Sequence, residues 1–425
     1  MDWVSTRGQS PPVPFIDALF AGTAPDGGLY VPECVEPLPA STLEALRDAD
    51  LVETATLVGA HMFRGEIGAE ALRPLVRDAL DFPVPLVQVT DRVWVLELFH
   101  GPTCAFKDIG ARVQARLLHH FTDGTPLTIL VATSGDTGSA VAQAFHGVPD
   151  TRVVVLYPAG KVTDVQEAQM ASLGDNIRAV AIQGTFDDCQ HLVKQAFADD
   201  DLRQHVWLTP ANSINVGRLL PQVFYYFTLL KRLPSLVSVP SGNFGNLTAG
   251  LFAKRMGLAV RQFVAATNVN DVVPIYLRTG RYSPRPSIRT VANAMDVGAP
   301  SNLERIQWLY GGDIDAIRRD VTGAAFADAR IVAEIANVYR RHKYLLDPHG
   351  AIAWLGVEQA LIGDEGDSPA VFLATAHPGK FREIVEPAID DSIPLPQQLA
   401  DALGRPRYAI PMPADYDALR AFLSE

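Results

Sequence analysis

The chain has 425 residues, 48% hydrophobic and 20% charged, with 36 Lys+Arg against 48 Asp+Glu and a formal net charge of −12. Length and hydrophobic share fit a folded protein of two or three domains and exclude a disordered one. The acidic balance argues against nonspecific binding to nucleic acid or to an anionic membrane.

Cys34, Cys104 and Cys189 form neither a CxxC pair nor a disulfide framework, which points to a reducing compartment. The opening "MDWVSTRGQSPPVPF" has no basic-then-apolar leader pattern. No run approaches ~18 apolar residues. A cytoplasmic protein without a membrane span is expected.

Residues 1–88 read as a mostly helical region. "PDGGLYVPE" (25–33) is a turn with a short strand, and "STLEALRDAD" (41–50) opens with Ser41 followed by Glu44, the spacing of a capping box. The texture then changes. An apolar run, "VWVLELF" (93–99), leads into "GPTCAFKD" (101–108), where Lys107 stands beside Phe106. Short β-rich runs recur: "LTILVAT" (127–133), "RVVVLYP" (152–158), "NIRAVAIQG" (176–184), "LVSVPSGN" (236–243), "QFVAATN" (262–268) and "AVFLATAHP" (370–378). Each is followed by a glycine-rich turn or a helical stretch, the pattern of parallel sheets buried on both faces. The Pro-, Arg- and Ser-rich stretch 278–302 is long enough to point to a functional loop. The acidic "GDEGDSP" (363–369) reads as a solvated turn.

Two strand-to-helix junctions stand out. In "ILVATSGDTGSAVAQAF" (129–145) a buried strand runs into Thr133, Ser134, Gly135, Asp136 and Thr137, then an Ala-rich helix. Unpaired N–H groups crowded by hydroxyls at a helix start suit an anion such as a carboxylate. In "VSVPSGNFGNLTAGLFAKRMG" (237–257), Ser241, Gly242, Asn243, Phe244, Gly245 and Asn246 link strand to helix, and the glycines let the backbone wrap a phosphate. The same residue types serve any strand-to-helix turn, so each loop alone leaves both readings open. Two such loops favour the anion reading, because ligands gather at strand C-terminal ends.

In "TPANSINVGRLLPQ" (209–222), Asn212 and Ser213 precede a helical pattern with Arg218 on its early turn. A cation there opposes the helix dipole unless an anion neutralises it. A capped helix with a surface arginine is the competing reading. His377 and Lys380 in "HPGKF" (377–381) read as loop residues, and "DPHG" (347–350) as a turn before the helix "AIAWLGVEQALI". No HExxH or ordered His/Cys cluster occurs, so no metal is expected. Dinucleotide and nucleoside triphosphate sites are excluded, since GxGxxG with a matched acidic residue and GxxxxGK[ST] are both missing.

Taken in order, "ELFHGPTCAFKD", "ATSGDTGSAVA", "NSINVGR", "VPSGNFGNLTAG", "AATNVND", "NAMDVGAPSN" and "TAHPGKF", with "APDGGLYVP" near the start, closely resemble the threonine synthases. The likeness covers nearly the whole chain and is to the shorter bacterial and fungal branch. It implies an α/β fold: two parallel-sheet domains of the tryptophan-synthase-β-like (fold type II) pyridoxal-phosphate architecture. The implied division is a helical N-terminal region at 1–88, a smaller α/β domain at 89–210 and a larger one at 211–425.

The resemblance also implies pyridoxal 5′-phosphate as cofactor, carried by Lys107, whose amine gains nucleophilicity in an enclosed site. Ser241 and the run Gly242, Asn243, Phe244, Gly245 and Asn246 match the loop around the cofactor phosphate; Thr375 matches the hydroxyl facing the pyridine nitrogen. Thr133, Ser134, Asp136 and Thr137 match the turn around the substrate carboxylate and the cofactor's ring oxygen. Asn212, Ser213 and Arg218 match residues that engage the substrate's phosphate. The implied reaction turns O-phospho-L-homoserine and water into L-threonine and phosphate, in a monomer or homodimer.

Two positions depart from the family's habit: Gly379, where alanine is common, and Cys104, where an aliphatic residue is common. Cys104 reads as a packing residue rather than a nucleophile. A serine/threonine dehydratase or a cysteine synthase shares the lysine and the phosphate loop but needs no second anion site. Arg218 with Asn212 and Ser213 is therefore the discriminating feature. A non-catalytic binding protein of the same fold would have no need for Lys107 and both loops together.

Overall fold

The computed structural model describes residues 1–362, 366–367 and 369–425, so the acidic turn expected at 363–369 falls largely outside the described residues. Among the described residues the strands are β1 (Trp3–Ser5), β2 (Tyr30–Pro32), β3 (Leu86–Gln88), β4 (Val93–Glu97), β5 (Leu127–Ala132), β6 (Thr151–Pro158), β7 (Ile177–Gln183), β8 (Leu208–Pro210), β9 (Leu236–Pro240), β10 (Gln262–Thr267), β11 (Val321–Ala325), β12 (Ala370–Ala374) and β13 (Ala409–Pro413). β1 and β2 form an antiparallel pair. A six-stranded sheet has the order β11-β10-β9-β12-β4-β3, and a five-stranded sheet the order β13-β7-β6-β5-β8. Every pairing in these two sheets is parallel except β3 with β4.

The strand sequences explain the layering. β9, "LVSVP", and β12, "AVFLA", are buried along their whole length, so neither has a polar face to offer water. Such strands need helices on both sides. β12 and β9 receive the helix Pro348–Leu361, whose residues from Pro348 to Val357 are all buried.

Strand order fixes where a ligand can sit. In the six-stranded sheet the chain proceeds from β9 to β10 to β11, then returns to place β12 on the other flank of β9. In the five-stranded sheet it proceeds from β5 to β6 to β7, then returns to place β8 on the other flank of β5. Loops leaving neighbouring strands at such a reversal diverge and open a crevice at the strand C-terminal ends. The four loops in question follow β5, β8, β9 and β12. They carry Thr133, Asn212, Ser241 and Thr375.

Several expectations need correction. β4 pairs with β12, so the larger sheet borrows an earlier segment, as the approximate boundaries allowed, whereas β13 was placed with the larger domain but pairs with β7 in the smaller sheet. Both are long-range parallel pairings, whose partners no local pattern specifies. The N-terminal region is helical at Phe15–Ala21 and in three helices between 40 and 79, and β2 is the short strand expected within 25–33, but the region also contributes β1 and the edge strand β3, which were not foreseen. The capping box at Ser41 does not form. Pro39 precedes a helix Ala40–Ala45 with no side-chain cap, and Ser41 already lies inside its first turn. Capping boxes form instead at Thr163 with Gln166 and at Thr185 with Asp188. "DPHG" is no separate turn: Asp347 caps the helix that starts at Pro348, accepting from the N–H groups of His349 and Gly350.

Candidate active site

Lys107 is the first residue of the helix Lys107–Phe121, and its position is pinned from the strand side. The N–H of Phe106 donates to the carbonyl of Thr375 at 2.8 Å, that of His377 to the carbonyl of Cys104 at 3.0 Å, and Ala105 bridges Ala376. The lysine segment is thus stitched to the chain leaving β12, which brings Lys107 and Thr375 to one crevice. Cys104 takes a left-handed conformation (φ 55°) to make this turn, and burial pushes its thiol up to about 12. A thiol so protonated is no nucleophile, in keeping with a packing role.

The Lys107 side chain keeps 17% of its exposure and opens toward the crevice. Desolvation lowers its pKa; Asp136 opposes that shift, while Lys380 and Arg218 add to it. Asp136 Oδ2 lies 3.8 Å from Lys107 Nζ. Asp136 Oδ1 accepts from Lys380 Nζ at 2.8 Å and from Gln166 Nε2 at 3.0 Å. Asp136 is held strongly ionised: burial pushes its carboxyl up, but the two lysines and these hydrogen bonds prevail. Gly135 carries φ 150°, and a Cβ there would fall 2.5 Å from the Gln166 amide, so the approach of Gln166 to Asp136 depends on glycine.

The turn after β5 is divided in its use. The Thr133 hydroxyl accepts from the N–H groups of Gly135 and Gly138 and so braces the turn. Ser134 is exposed and Thr137 half-buried, and the structure gives neither a side-chain hydrogen bond. These two hydroxyls face outward from the helix start.

After β9, the helix Gly245–Arg255 begins at Phe244, which is left-handed (φ 62°) and supplies no side-chain cap. Ser241 donates to the carbonyl of Val239. Asn243 donates to Ser213 Oγ at 2.7 Å and accepts from the N–H of Ser301, so it ties this loop to the one after β8. Asn246 Oδ1 accepts from the hydroxyls of Tyr225 and Tyr226, while its Nδ2 is buried without a partner. A Cβ on Gly242 would sit 2.8 Å from the Ala294 carbonyl and from Met295 Cα. The long loop expected to be functional therefore presses its short 3-10 turn Asn293–Met295 directly onto the glycine loop.

The loop after β8 resolves the competing reading of Arg218. Asn215 caps the short helix Val216–Leu219, which leaves Asn212 and Ser213 free of capping duty. Arg218 is 4% exposed rather than on the surface. Its Nη1 donates to the Ala211 carbonyl, and its Nε is buried without a partner. No described carboxylate lies within ion-pair range, and burial lowers its pKa to about 10. Asn212 Oδ1 is also buried and unpartnered. A desolvated cation with an unused donor has the chemistry to take up an anion.

Sequence reasoning missed Lys380, Gln166 and Asp108. Lys380 was a loop residue by local pattern; in the structure its side chain is fully buried against Asp136 and the Thr103 carbonyl. Asp108 accepts from the N–H and hydroxyl of Thr103, and burial raises its pKa to about 6. A signal existed only for Lys380, a lysine in the short turn that follows an all-apolar strand.

A family model described as "Pyridoxal-phosphate dependent enzyme" matches residues 80–376, and models for the N terminus and the C-terminal part of threonine synthase match 2–80 and 351–423. Threonine synthase of Escherichia coli (strain K12) is 42% identical over 97% of this chain and 96% of its own. The chain belongs to the threonine synthase family. The crystal structure of Escherichia coli threonine synthase matches with a TM-score of 0.92 over 100% of this chain and 99% of that one, at 41% identity. A PLP-bound threonine synthase from Brucella melitensis matches with a TM-score of 0.94 at 38% identity, over 100% and 99%. A threonine deaminase isoform from Solanum lycopersicum, 15% identical with a TM-score of 0.59, shares the fold alone.

The residues present fit the cofactor of a pyridoxal-phosphate-dependent threonine synthase. An aldehyde needs an amine that can lose its proton, and Lys107 is desolvated. A phosphate needs free N–H donors; the uncapped helix start at Gly245 offers backbone ones and the unpartnered Asn246 Nδ2 a side-chain one.

Proposed function

We infer that this chain converts O-phospho-L-homoserine and water into L-threonine and phosphate, with pyridoxal 5′-phosphate held at Lys107. The observation that carries the reading is Arg218, a buried cation near Lys107 whose Nε has no partner, which we read as a second anion site beside the one at the glycine loop. A dehydratase would need the lysine and one phosphate loop; a substrate bearing its own phosphate needs both.

Gly242 to Asn246 and the helix start at Gly245 would hold the cofactor phosphate, and the Thr375 hydroxyl would face the ring nitrogen. When bound, pyridoxal 5′-phosphate supplies an electron-withdrawing ring that stabilises negative charge at the substrate α-carbon. Ser134 and Thr137 would receive the substrate carboxylate. Lys107 Nζ is the group placed to take the proton from Cα and then from Cβ. Phosphate leaves Cγ under the charge of Arg218, with Asn212 and Ser213 orienting it. A proton returned to Cγ makes the methyl group, water adds its oxygen to Cβ and gives up a proton, and a proton returns to Cα. All of these residues come from one chain, so a monomer or a homodimer suffices. No described helix is long and apolar enough to cross a membrane, which accords with a cytoplasmic setting.

Phosphate and threonine assayed in the same tube test this. Wild type should release both in equal amounts, and Lys107→Ala neither. Phosphate accompanied by 2-oxobutyrate in place of threonine would show elimination without water capture and overturn the assignment.

A further inference from the structure

Lys380 has no task in the chemistry above, yet its ammonium group is the most completely buried charge in the crevice. It sits on the 3-10 turn Pro378–Phe381, directly after β12 and Thr375, with 0% side-chain exposure. Two acceptors hold it: Asp136 Oδ1 and the Thr103 carbonyl, each at 2.8 Å. Asp136 therefore stands between two lysines, and they do not share it equally. Lys380 makes a direct charge-assisted bond, whereas Lys107 Nζ lies 3.8 Å from Oδ2, beyond hydrogen-bond reach.

We propose that Lys380 is a positioning residue that monopolises Asp136 and so leaves Lys107 without a carboxylate of its own, in its neutral, nucleophilic form. This rests on the reading of Lys107 as the cofactor lysine.

Four charged groups face Lys107, two carboxylates that favour its proton and two cations that oppose it. Asp136, at the start of the helix after β5, is occupied by Lys380 and Gln166. Asp108, on the lysine's own helix, spends both oxygens on Thr103. Arg218, from the loop after β8, adds positive charge, as does Lys380 itself. Two carboxylates already hydrogen-bonded elsewhere and two cations surround the amine, so a proton on Lys107 meets only the long 3.8 Å ion pair to Asp136 Oδ2 and no carboxylate hydrogen bond. Without Lys380, Asp136 would turn to Lys107 and pin it as an ammonium ion. The repulsion from Lys380 would vanish at the same time, and both changes raise the Lys107 pKa. A merely structural ion pair makes no such demand on Lys107.

The test uses the full chain freed of cofactor, with pyridoxal 5′-phosphate as probe from pH 6 to 10. Adducts are trapped with borohydride and assigned to Lys107 by peptide mass. Lys380→Met should move the midpoint of adduct formation upward by about 1 pH unit or more, while Lys380→Arg, which keeps the charge on Asp136, stays near wild type. Should Lys380→Met fail to fold by circular dichroism, Lys380→Gln reads the same quantity, since its amide can still bond Asp136 but carries no charge. Equal midpoints for wild type and the uncharged variant would overturn the proposal and leave the cofactor reading intact. No trapped adduct on Lys107 in wild type would overturn the cofactor reading itself, and the proposal with it.

Discussion

Replacing Arg218 by methionine separates function from stability at a single position. The guanidinium is 4% exposed and bonded once to the Ala211 carbonyl, its Nε has no partner, and only the more distant Asp108 offsets its burial. Its pKa falls from 12.5 to about 10 through burial, which corresponds to about 3 kcal/mol against the charged form in the empty protein. Because a cation with a depressed folded pKa is penalised at every pH below that pKa, the cost is present throughout the neutral range. Methionine removes it. It also forfeits the bond to Ala211 and some packing, about 1 kcal/mol each. The substrate-free variant should therefore be as stable as wild type or about 1 kcal/mol more so. In a chain of 425 residues that is about 1 °C in Tm. The substrate complex behaves oppositely: it loses a charge-assisted hydrogen bond worth about 1.5–3 kcal/mol, so kcat/KM should fall about 10- to 150-fold. Phosphate release at varied O-phospho-L-homoserine, inhibition by inorganic phosphate, and visible absorbance of bound cofactor give the readouts. The reasoning is refuted if kcat/KM falls less than threefold, or if phosphate inhibits the variant as well as wild type. A Tm lower by several degrees would instead make Arg218 a structural arginine.

Gly242→Ala should weaken pyridoxal 5′-phosphate binding tenfold or more. The added Cβ lies 2.8 Å from backbone atoms of Ala294 and Met295, which cannot rotate aside, and such overpacking costs about 1–3 kcal/mol. An unchanged affinity in an absorbance titration would show that the Asn293–Met295 turn gives way freely. Asp108→Asn probes pH dependence. The folded carboxyl titrates near 6 and the unfolded one near 3.8, so the folded state binds the extra proton between these values, and this group's contribution to stability falls as pH rises from about 4 to 6. The variant lacks that loss, so its stability relative to wild type should rise by about 2–3 kcal/mol between pH 4 and pH 7, read from urea midpoints. Parallel pH profiles would contradict the buried titration.

Much of the fold was legible because parallel strands announce themselves. A strand such as "LTILVAT", buried on both faces, has no period-2 alternation, and its near-continuous apolar run ends at a glycine-rich turn. The six runs identified from sequence all became strands, and the candidate loops indeed follow β5, β8, β9 and β12. What failed was of another kind. β13 lies more than 200 residues along the chain from its partner β7, and nothing in "YAIPMP" specifies that neighbour. The box at Ser41 failed because capping depends on where the helix begins, and Pro39 moved that point by one turn position.

The site shows the same division between local and assembled information. Loops built on glycine, such as Gly242 to Asn246, are visible in sequence because a glycine such as Gly242 answers a local steric need. Charges are not, because their meaning lies in what faces them. Arg218 reads locally as a surface arginine and Lys380 as a loop lysine; burial turns both into the working cations of the crevice. This also answers how a chain of net charge −12 receives a phosphorylated substrate. The excess of carboxylates is spread over the surface, where salt and water screen it. Within the crevice Lys107, Lys380 and Arg218 face Asp108 and Asp136, and Asp136 is committed to Lys380. With Lys107 neutral, Arg218 is the cation with no carboxylate bonded to it. An incoming phosphate therefore has one uncommitted side-chain charge to find, while the glycine loop offers a second phosphate only backbone and amide dipoles. On the proposed reading, two anions are sorted by two different chemistries.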